Sequence, residues 1–469
     1  MKVTKVWLNG TRALTLASAL LAPVLALLLA PQAQATNLGD IYDLAINKDP
    51  QLAAARANYM ATREALPQAR AALLPTVTVG VSTDDVKRTI VNNGFTDEYN
   101  DHAWQATLVQ PIFRLDRWFS FQAAKSIEAG AMAEFASQQQ ELIFRVSDSY
   151  LNILEANSQL VSARAERDAV KRQLEQVQQR FDVGLVAITD VLESTAAFDS
   201  STVNVIEAEG RQDITFETLL RLTDERYVEI DGLAAEFPVE YPEPNDSEAW
   251  VTRALQGNYE LIAARENVTS SHKNLYASRS RHLPTVEAQA RLAESTSGAA
   301  QNFLGGGAGN ADTEIEQRSY SLVLNVPLFS GGATLSASKE AGYRLEQAQR
   351  NFDLIQRQTV ESTRNLFSAI NTDVARVRAR LRGIESSQSA LDATQTGYEV
   401  GTRNIVDVLL AQQRLYLAQF QHASARYQYI RDTLRLKQTV GSLSPEDIYS
   451  LNKFITADKS VARITPTTR

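Results

Sequence analysis

The chain says the same thing twice, about 217 positions apart, and that duplication constrains its fold more than any other feature. Phe181 opens FDVGLVAITDVL and Tyr398 opens YEVGTRNIVDVL, so Gly184 matches Gly401 and Asp190 matches Asp407. Upstream, LLPTV at Leu73 answers HLPTV at His282, and QPIF at Gln110 answers VPLF at Val326. DPQLAAAR at Asp49 answers NYELIAAR at Asn258. Landmarks repeated in one order describe two similar halves that build one body, 36–236 and 251–441. A connector, 237–250, joins them through Pro238, Pro242 and Pro244 among acidic residues, and 442–469 reads as a polar C-terminal tail.

Each half alternates two kinds of periodicity. From about Leu115 to Gln179 there is no proline, and Leu142, Val146, Tyr150, Ile153, Asn157 and Leu160 recur at helical spacing. The second half repeats this from Leu335 to Gly397. A helix of about 65 residues rises about 100 Å, far more than a compact domain needs. Shorter helical pieces, Asp40 to Leu73, Val186 to Leu222, Ser247 to Arg281 and Ile405 to Val440, are each about half as long. Two stacked end to end match one long helix. Their thin stripes of Ala, Ser and Gln favour close coiled-coil contact.

Between the helices lie strand pairs at 75–112 and 284–328. Val77, Val79 and Val81 alternate with Thr76 and Thr78, and Trp104, Ala106 and Leu108 with Gln105 and Thr107. Val286, Ala288, Ala290 and Leu292 alternate with Glu287, Gln289 and Arg291, and Tyr320, Leu322 and Leu324 with Ser321 and Asn325. Each run approximates the 9–11 residues of a tilted membrane strand, although a soluble hairpin with one wet face alternates in the same way. Polar loops are expected from Asp84 to Asp101 and from Ser295 to Gln317. The latter contains Gly305-Gly306-Gly307, without the Lys-Ser/Thr of a phosphate-binding loop. Pro75, Pro111, Pro284 and Pro327 mark the helix–strand junctions.

Lys2, Lys5 and Arg12 precede an apolar run and Ala33-Gln34-Ala35, the pattern of a secretory signal peptide over 1–35. Losing those three cations lowers the formal charge from −8 to −11. An acidic chain speaks against nucleic acid as a partner. With no cysteine, disulfides, thiolate metal sites and a thioether-linked lipid anchor are excluded. The four histidines, His102, His272, His282 and His422, are too scattered to form a metal set. No G-x-S-x-G elbow occurs, and the sequon at Asn267 is read as chance. Neither an enzyme nor a cofactor is expected.

Taken together, the duplication, the Leu-Pro and Pro-x-Phe junctions, FDVGLVAITDV, and GYEVGTRNIVDVL followed by LYLAQFQHASARYQYI resemble the TolC family of trimeric outer-membrane channel tunnels over nearly the whole mature chain. The resemblance implies a mainly α protomer with a small β part: long antiparallel helical hairpins plus four transmembrane strands. Three protomers would complete a 12-stranded barrel above a periplasmic helical tunnel. The implied function is an outer-membrane exit duct for small-molecule efflux, type I protein secretion or both. Its implied partners are outer-membrane lipid, a periplasmic adaptor and an ABC or proton-driven inner-membrane transporter. The competing reading is a periplasmic helical scaffold without a pore.

Gly184 and Gly401 are placed at the turns that close the helical hairpins, where a residue free to adopt φ > 0 is favoured. Asp190 and Asp407 fall in the first turn of each returning helix, where a carboxylate suits the helix dipole, so capping alone would account for both. The resemblance adds a gate. Tyr398 would hydrogen-bond Asp190 within a protomer, Arg403 would reach Thr189 and Asp190 of a neighbour, and Gln179 would add a polar contact. Asp407 would form an acidic ring in the pore. Leu410 replaces the acid of a second ring, which should weaken the cation trap.

Overall fold

The computed structural model describes residues 36–91, 95–297 and 313–464. The signal-peptide expectation at 1–35 and the Gly305–Gly307 loop lie outside these residues.

The chain opens with α1 (Leu38–Lys48), α2 (Pro50–Arg63) and α3 (Ala65–Ala71), then the strands β1 (Thr76–Ile90) and β2 (Phe95–Phe113). A long helix, α4 (Leu115–Asp182), turns into α5 (Ile188–Thr223), followed by β3 (Glu229–Leu233). The second half repeats the order: α6 (Ser247–Gly257), α7 (Tyr259–Ser280), β4 (Thr285–Ser297), β5 (Thr313–Asn325), α8 (Ala333–Glu399) and α9 (Ile405–Thr439). It closes with α10 (Pro445–Asn452) and β6 (Ile455–Ala462). The protein is mainly helical with a small sheet fraction, as the sequence periodicity predicts.

Two expected helical pieces are broken, at matching places. Asp49 ends α1 and caps α2, its side chain accepting from the Leu52 N–H at 2.9 Å, with Pro50 at the first helical position. Asn258 does the same for α7, accepting from the Leu261 N–H at 2.8 Å. The duplicated landmark at Asp49 and Asn258 is therefore a helix start, with the capping oxygen that such a position prefers. Buried Asp49 also takes Arg145 of α4 at 2.6 Å, which ties α2 to the long helix.

The tail expectation is corrected. Residues 442–464 do not trail away as a polar segment, because α10 and β6 fold onto the body and bury Ile448, Leu451 and Val461. β6 pairs antiparallel with β3 from the first half. This two-stranded sheet lies over the largest core, built from Leu38 and Ile41 of α1, Leu142 to Leu154 of α4, Phe216 to Leu222 of α5 and Ile430 to Leu436 of α9. Tyr150 is fully buried there and donates to the Asp231 carbonyl at 2.5 Å. Alternation in a short exposed strand carries little signal, so the segment's polar surface concealed its three anchors. The helix α6 begins at Ser247, inside the span 237–250 read as a connector.

The four long strands form one antiparallel sheet in the order β1-β2-β4-β5. Register aligns the apolar residues into rows, among them Val77–Leu108–Ala290–Tyr320. The opposite face carries Thr78–Thr107–Arg291–Ser319, with Arg291 donating to Gln105 at 2.6 Å. Val77, Val79, Val81, Tyr320 and Leu322 are each more than 60% exposed (65, 69, 81, 79 and 71%), so nothing among the described residues covers them. The strands outrun the apolar band. The loop expected from Asp84 to Asp101 is instead strand out to Ile90 and back from Phe95, carrying Lys87 paired with Glu98 and Thr83 bonded to Asn100. Cross-strand polar pairs hold this extension without a core.

Pro75 and Pro284 immediately precede β1 and β4, and Pro327 follows β5. Pro111 lies inside β2, next to a register shift between Pro111 and Phe113, where a missing N–H is tolerated. Just beyond it, Arg114 grips Asp116 with two bonds (3.0 and 2.9 Å) and Glu287 of β4 at 2.6 Å. This clamp fixes the angle at which sheet becomes helix.

Candidate functional site at the hairpin tips

Both hairpins close in the same way. Gly184 takes φ +77° and Gly401 φ +80°, backbone angles that favour glycine. Leu185 N–H bonds the Arg180 carbonyl and Gly184 N–H bonds that of Phe181, each at 2.8 Å. The second turn repeats the pair: Thr402 N–H to Gly397 O at 2.8 Å and Gly401 N–H to Tyr398 O at 3.1 Å. This Schellman arrangement satisfies the last carbonyls of a helix and reverses the chain. The turn glycines repeat in sequence because each hairpin needs one residue in the left-handed region.

The two tips come together at one end of the molecule. Val177 of α4 and Val191 of α5 share an apolar cluster with Leu391 and Tyr398 of α8 and Ile405 and Val408 of α9, flanked by Phe181 and Val186. Of the residues predicted to form a gate, Tyr398 is 7% exposed inside this cluster. Gln179, Thr189 and Arg403 lie exposed around it, and Asp190 and Asp407 are half-buried.

The matched acids differ in what they do. Asp407 completes a capping box with Asn404: its N–H bonds Asn404 Oδ1 at 2.8 Å, and its carboxylate accepts from the Asn404 N–H. Capping thus accounts for part of its role. At the first tip Ala187 occupies the cap position and no side-chain cap forms, so the Asp190 carboxylate is not used in this way. Its contact is Thr189 Oγ1 at 3.5 Å.

The expected Tyr398–Asp190 hydrogen bond is not formed in the protomer. Tyr398 Oη is buried without a hydrogen-bond partner, and the Arg180 guanidinium stacks over its ring at 4.9 Å. Burial pushes the Tyr398 hydroxyl above its ordinary pKa; Arg180 opposes the shift and Asp190 adds to it. Arg403 leans toward Asp407 of its own helix at 3.9 Å, both partly exposed, and such a pair is worth only about 0–1 kcal/mol. The Tyr398 hydroxyl and the Asp190 carboxylate thus keep hydrogen-bonding capacity unspent near Arg180, whereas Asp407 and Arg403 are partly engaged at their own tip.

Sequence reasoning missed Arg180. It corresponds in the duplication to Gly397, whose bare α-carbon leaves room for the Arg403 side chain; a Cβ there would lie 2.8 Å from Arg403 Cγ. Comparing the two tips residue by residue is the signal that would have found it. Among the described residues no group of His, Cys, Asp or Glu is placed to hold a metal ion, and no helix is long and apolar enough to cross a membrane.

The family model for outer membrane efflux proteins matches residues 41–224 and 250–442, one match over each half of the duplication. The chain belongs to the outer membrane efflux protein family. It is 33% identical to outer membrane protein TolC of Vibrio cholerae, covering 89% of this chain and 93% of the relative. It is 32% identical to TolC of Escherichia coli, covering 92% and 89%. Alkaline protease secretion protein AprF of Pseudomonas aeruginosa is 30% identical over 90% of this chain and 88% of its own. Among solved structures, CusC superposes with a TM-score of 0.75 at 15% identity, covering 86% of this chain and 92% of that one. VceC of Vibrio cholerae follows at 0.74 and 16%, covering 86% and 96%. These two speak for the fold alone. As a family member the chain is an outer-membrane export protein and not an enzyme.

Proposed function

We propose that three copies of this chain form an outer-membrane exit duct for small-molecule efflux, type I protein secretion or both. The observation that carries this reading is the four-stranded sheet: an uncovered apolar face and two outer strands, β1 and β5, with no partner beyond them among the described residues. An open sheet edge in lipid leaves backbone groups unsatisfied, which only a closed barrel avoids. Four strands are too few to close, and three copies supply twelve. The family of outer membrane efflux proteins supports efflux, and AprF, an alkaline protease secretion protein, supports protein cargo.

In this arrangement the helices extend into the periplasm and the tips form the constriction. Tyr398, Asp190, Thr189, Gln179 and Arg403 hold it shut across protomers, and Arg180, stacked over the Tyr398 ring, acts with them. Asp407 lines the opening, and Leu410 leaves it with one acidic ring. A periplasmic adaptor engages the tips and connects them to an inner-membrane transporter. Val183, Leu185 and Val400 support such a contact, because they stand 70, 69 and 70% exposed beside the turn glycines. The repeat boundaries, 36–236 and 251–441, mark the two halves of each protomer's contribution.

Cell fractionation tests the reading. A trimer in the outer-membrane fraction that dissociates only on heating in detergent is expected. A soluble elongated monomer would overturn it.

A further inference from the structure

Thr36, which follows the expected leader, is built into the fold. It pairs in parallel with Ile230 of β3, and its carbonyl accepts from the Asp231 N–H at 3.3 Å. β6 occupies the other edge of β3, where Val461 faces Ile230. One residue after Thr36, Asn37 caps α1, accepting from the Asp40 N–H at 3.0 Å and donating to the Asp40 carboxylate at 2.7 Å. A strand on one side and a helix cap on the other therefore hold the Thr36 backbone beside Asp231.

Asp231 is 8% exposed, and its Oδ1 is buried with no hydrogen-bond partner. Its main chain is fixed at both ends, the N–H on Thr36 and the carbonyl on Tyr150 at 2.5 Å, which keeps the carboxyl from swinging out to water. Burial, then Glu229 of the same strand and Asp40 of α1, push that carboxyl above its ordinary pKa. The cations around this sheet are spent elsewhere or turned to solvent. Arg463 is held by Asp213 at 2.8 Å and by Glu217, and Arg426 of α9 donates to the Ala234 carbonyl at 2.6 Å. Lys459 of β6, packed against Gly232, is exposed and makes no ion pair among the described residues. A buried carboxylate among other acids is tolerated only with a cation or donors of its own.

The sequence provides such a cation. Ala33-Gln34-Ala35 ends the expected leader, so cleavage there makes Thr36 the first residue of the exported chain. Hydrolysis of the Ala35–Thr36 bond takes one water. Its oxygen joins the Ala35 carbonyl, which leaves with the leader as a carboxylate, and the Thr36 nitrogen becomes an ammonium. We infer that the Thr36 ammonium is the counterion of Asp231 and Glu229, so that leader removal completes the β3 edge. The unprocessed chain has an uncharged amide in that place and leaves Asp231 unpaired. Closure of the β3–β6 sheet over the core is thereby tied to release of the leader. The inference depends on export, and not on how many copies assemble.

The mature amine itself reads out the pairing. Mass spectrometry of protein purified from outer membranes should give Thr36 as the first residue, and any other start would overturn the inference. Acylation of that amine, followed across pH, should show a midpoint of about 9 or higher, against roughly 7.7–8.0 for an unperturbed α-amine. Asp231→Asn should bring the midpoint down by at least about 1, because the opposite charge is gone. A second variant separates pairing from a general effect on folding. Gly-Ser inserted between Ala35 and Thr36 keeps every carboxylate and moves the ammonium two residues away, and thermal melting should fall by several degrees. Asp231→Asn should lower melting in the natural chain and cause no further loss in the extended one, the non-additivity expected of a shared interaction. An amine that titrates alike in the natural and Asp231→Asn chains, or equal losses in both backgrounds, would overturn the pairing.

Discussion

Asp373 of α8 is an acid held where its charge is poorly tolerated. It is 1% exposed, bonds Arg376 at 2.8 Å through Oδ1, and turns Oδ2 toward Asp432 of α9, which takes Gln428 at 3.0 Å. As a carboxylate, Oδ2 has no donor; protonated, it can donate to Asp432. Burial first, then Asp432, push the carboxyl up to about 7, against the pull of Arg376. A carboxyl whose folded pKa is raised stabilises the fold fully below its unfolded value, and that stability is lost as pH rises through the folded value. Thermal melting of the purified protein should therefore fall between about pH 4 and 7. Asp373→Asn, which donates at every pH, should flatten the curve and melt higher than the natural chain above pH 7. Parallel curves for the two proteins would mean that the acids do not share a proton. Nothing in the sequence marked this pair, since Asp373 and Asp432 meet only because α8 and α9 are antiparallel. Gly184 and Gly401 were legible by contrast, because their roles are set by backbone geometry that each half must reproduce, whereas Asp49 and Asn258 were visible as a repeated landmark but not as helix caps.

Among the elements, the hairpin turns and the sheet carry the sharpest expectations. Gly184→Ala and Gly401→Ala each force a Cβ into a left-handed backbone and should cost about 1–2 kcal/mol in denaturant titrations. Space is not the reason, as nothing lies within 4 Å of a Cβ at either position. No loss of stability in either variant would count against the turn geometry. In the sheet, Ala288 shares the apolar face with Leu322, its cross-strand partner, whereas Gln289 pairs with Ser321 on the polar face. Ala288→Arg should cost about 2–4 kcal/mol of membrane insertion near the midplane, while Gln289→Arg should be tolerated. Equal trimer yields from the two would contradict the lipid-facing assignment. The faces were readable from alternation because a period of two sets the side of every residue once register is fixed. Strand length was not, since beyond Thr83 most pairs, Asp84–Asp101, Asp85–Asn100 and Lys87–Glu98 among them, are polar and look like loop.

Over the whole molecule, sequence reasoning recovered the mainly helical character, the long helices and the small sheet fraction. It missed the β3–β6 sheet because that contact joins the middle of the chain to the otherwise polar β6, far apart in sequence. It also placed Tyr398 and Asp190 in a bond that a single protomer does not make. The unsatisfied Tyr398 hydroxyl, Arg180 over its ring and the uncapping Asp190 fit a gate completed between copies. Single-channel recording in planar bilayers tests that claim most directly. Purified trimers should form pores, and Tyr398→Phe combined with Arg403→Ser should raise their conductance several-fold with trimer abundance unchanged. Asp407→Asn should weaken block by multivalent cations, to a degree limited by the single acidic ring that Leu410 leaves. Incorporated trimers that pass no current, or a double variant conducting as the natural chain does, would contradict the account.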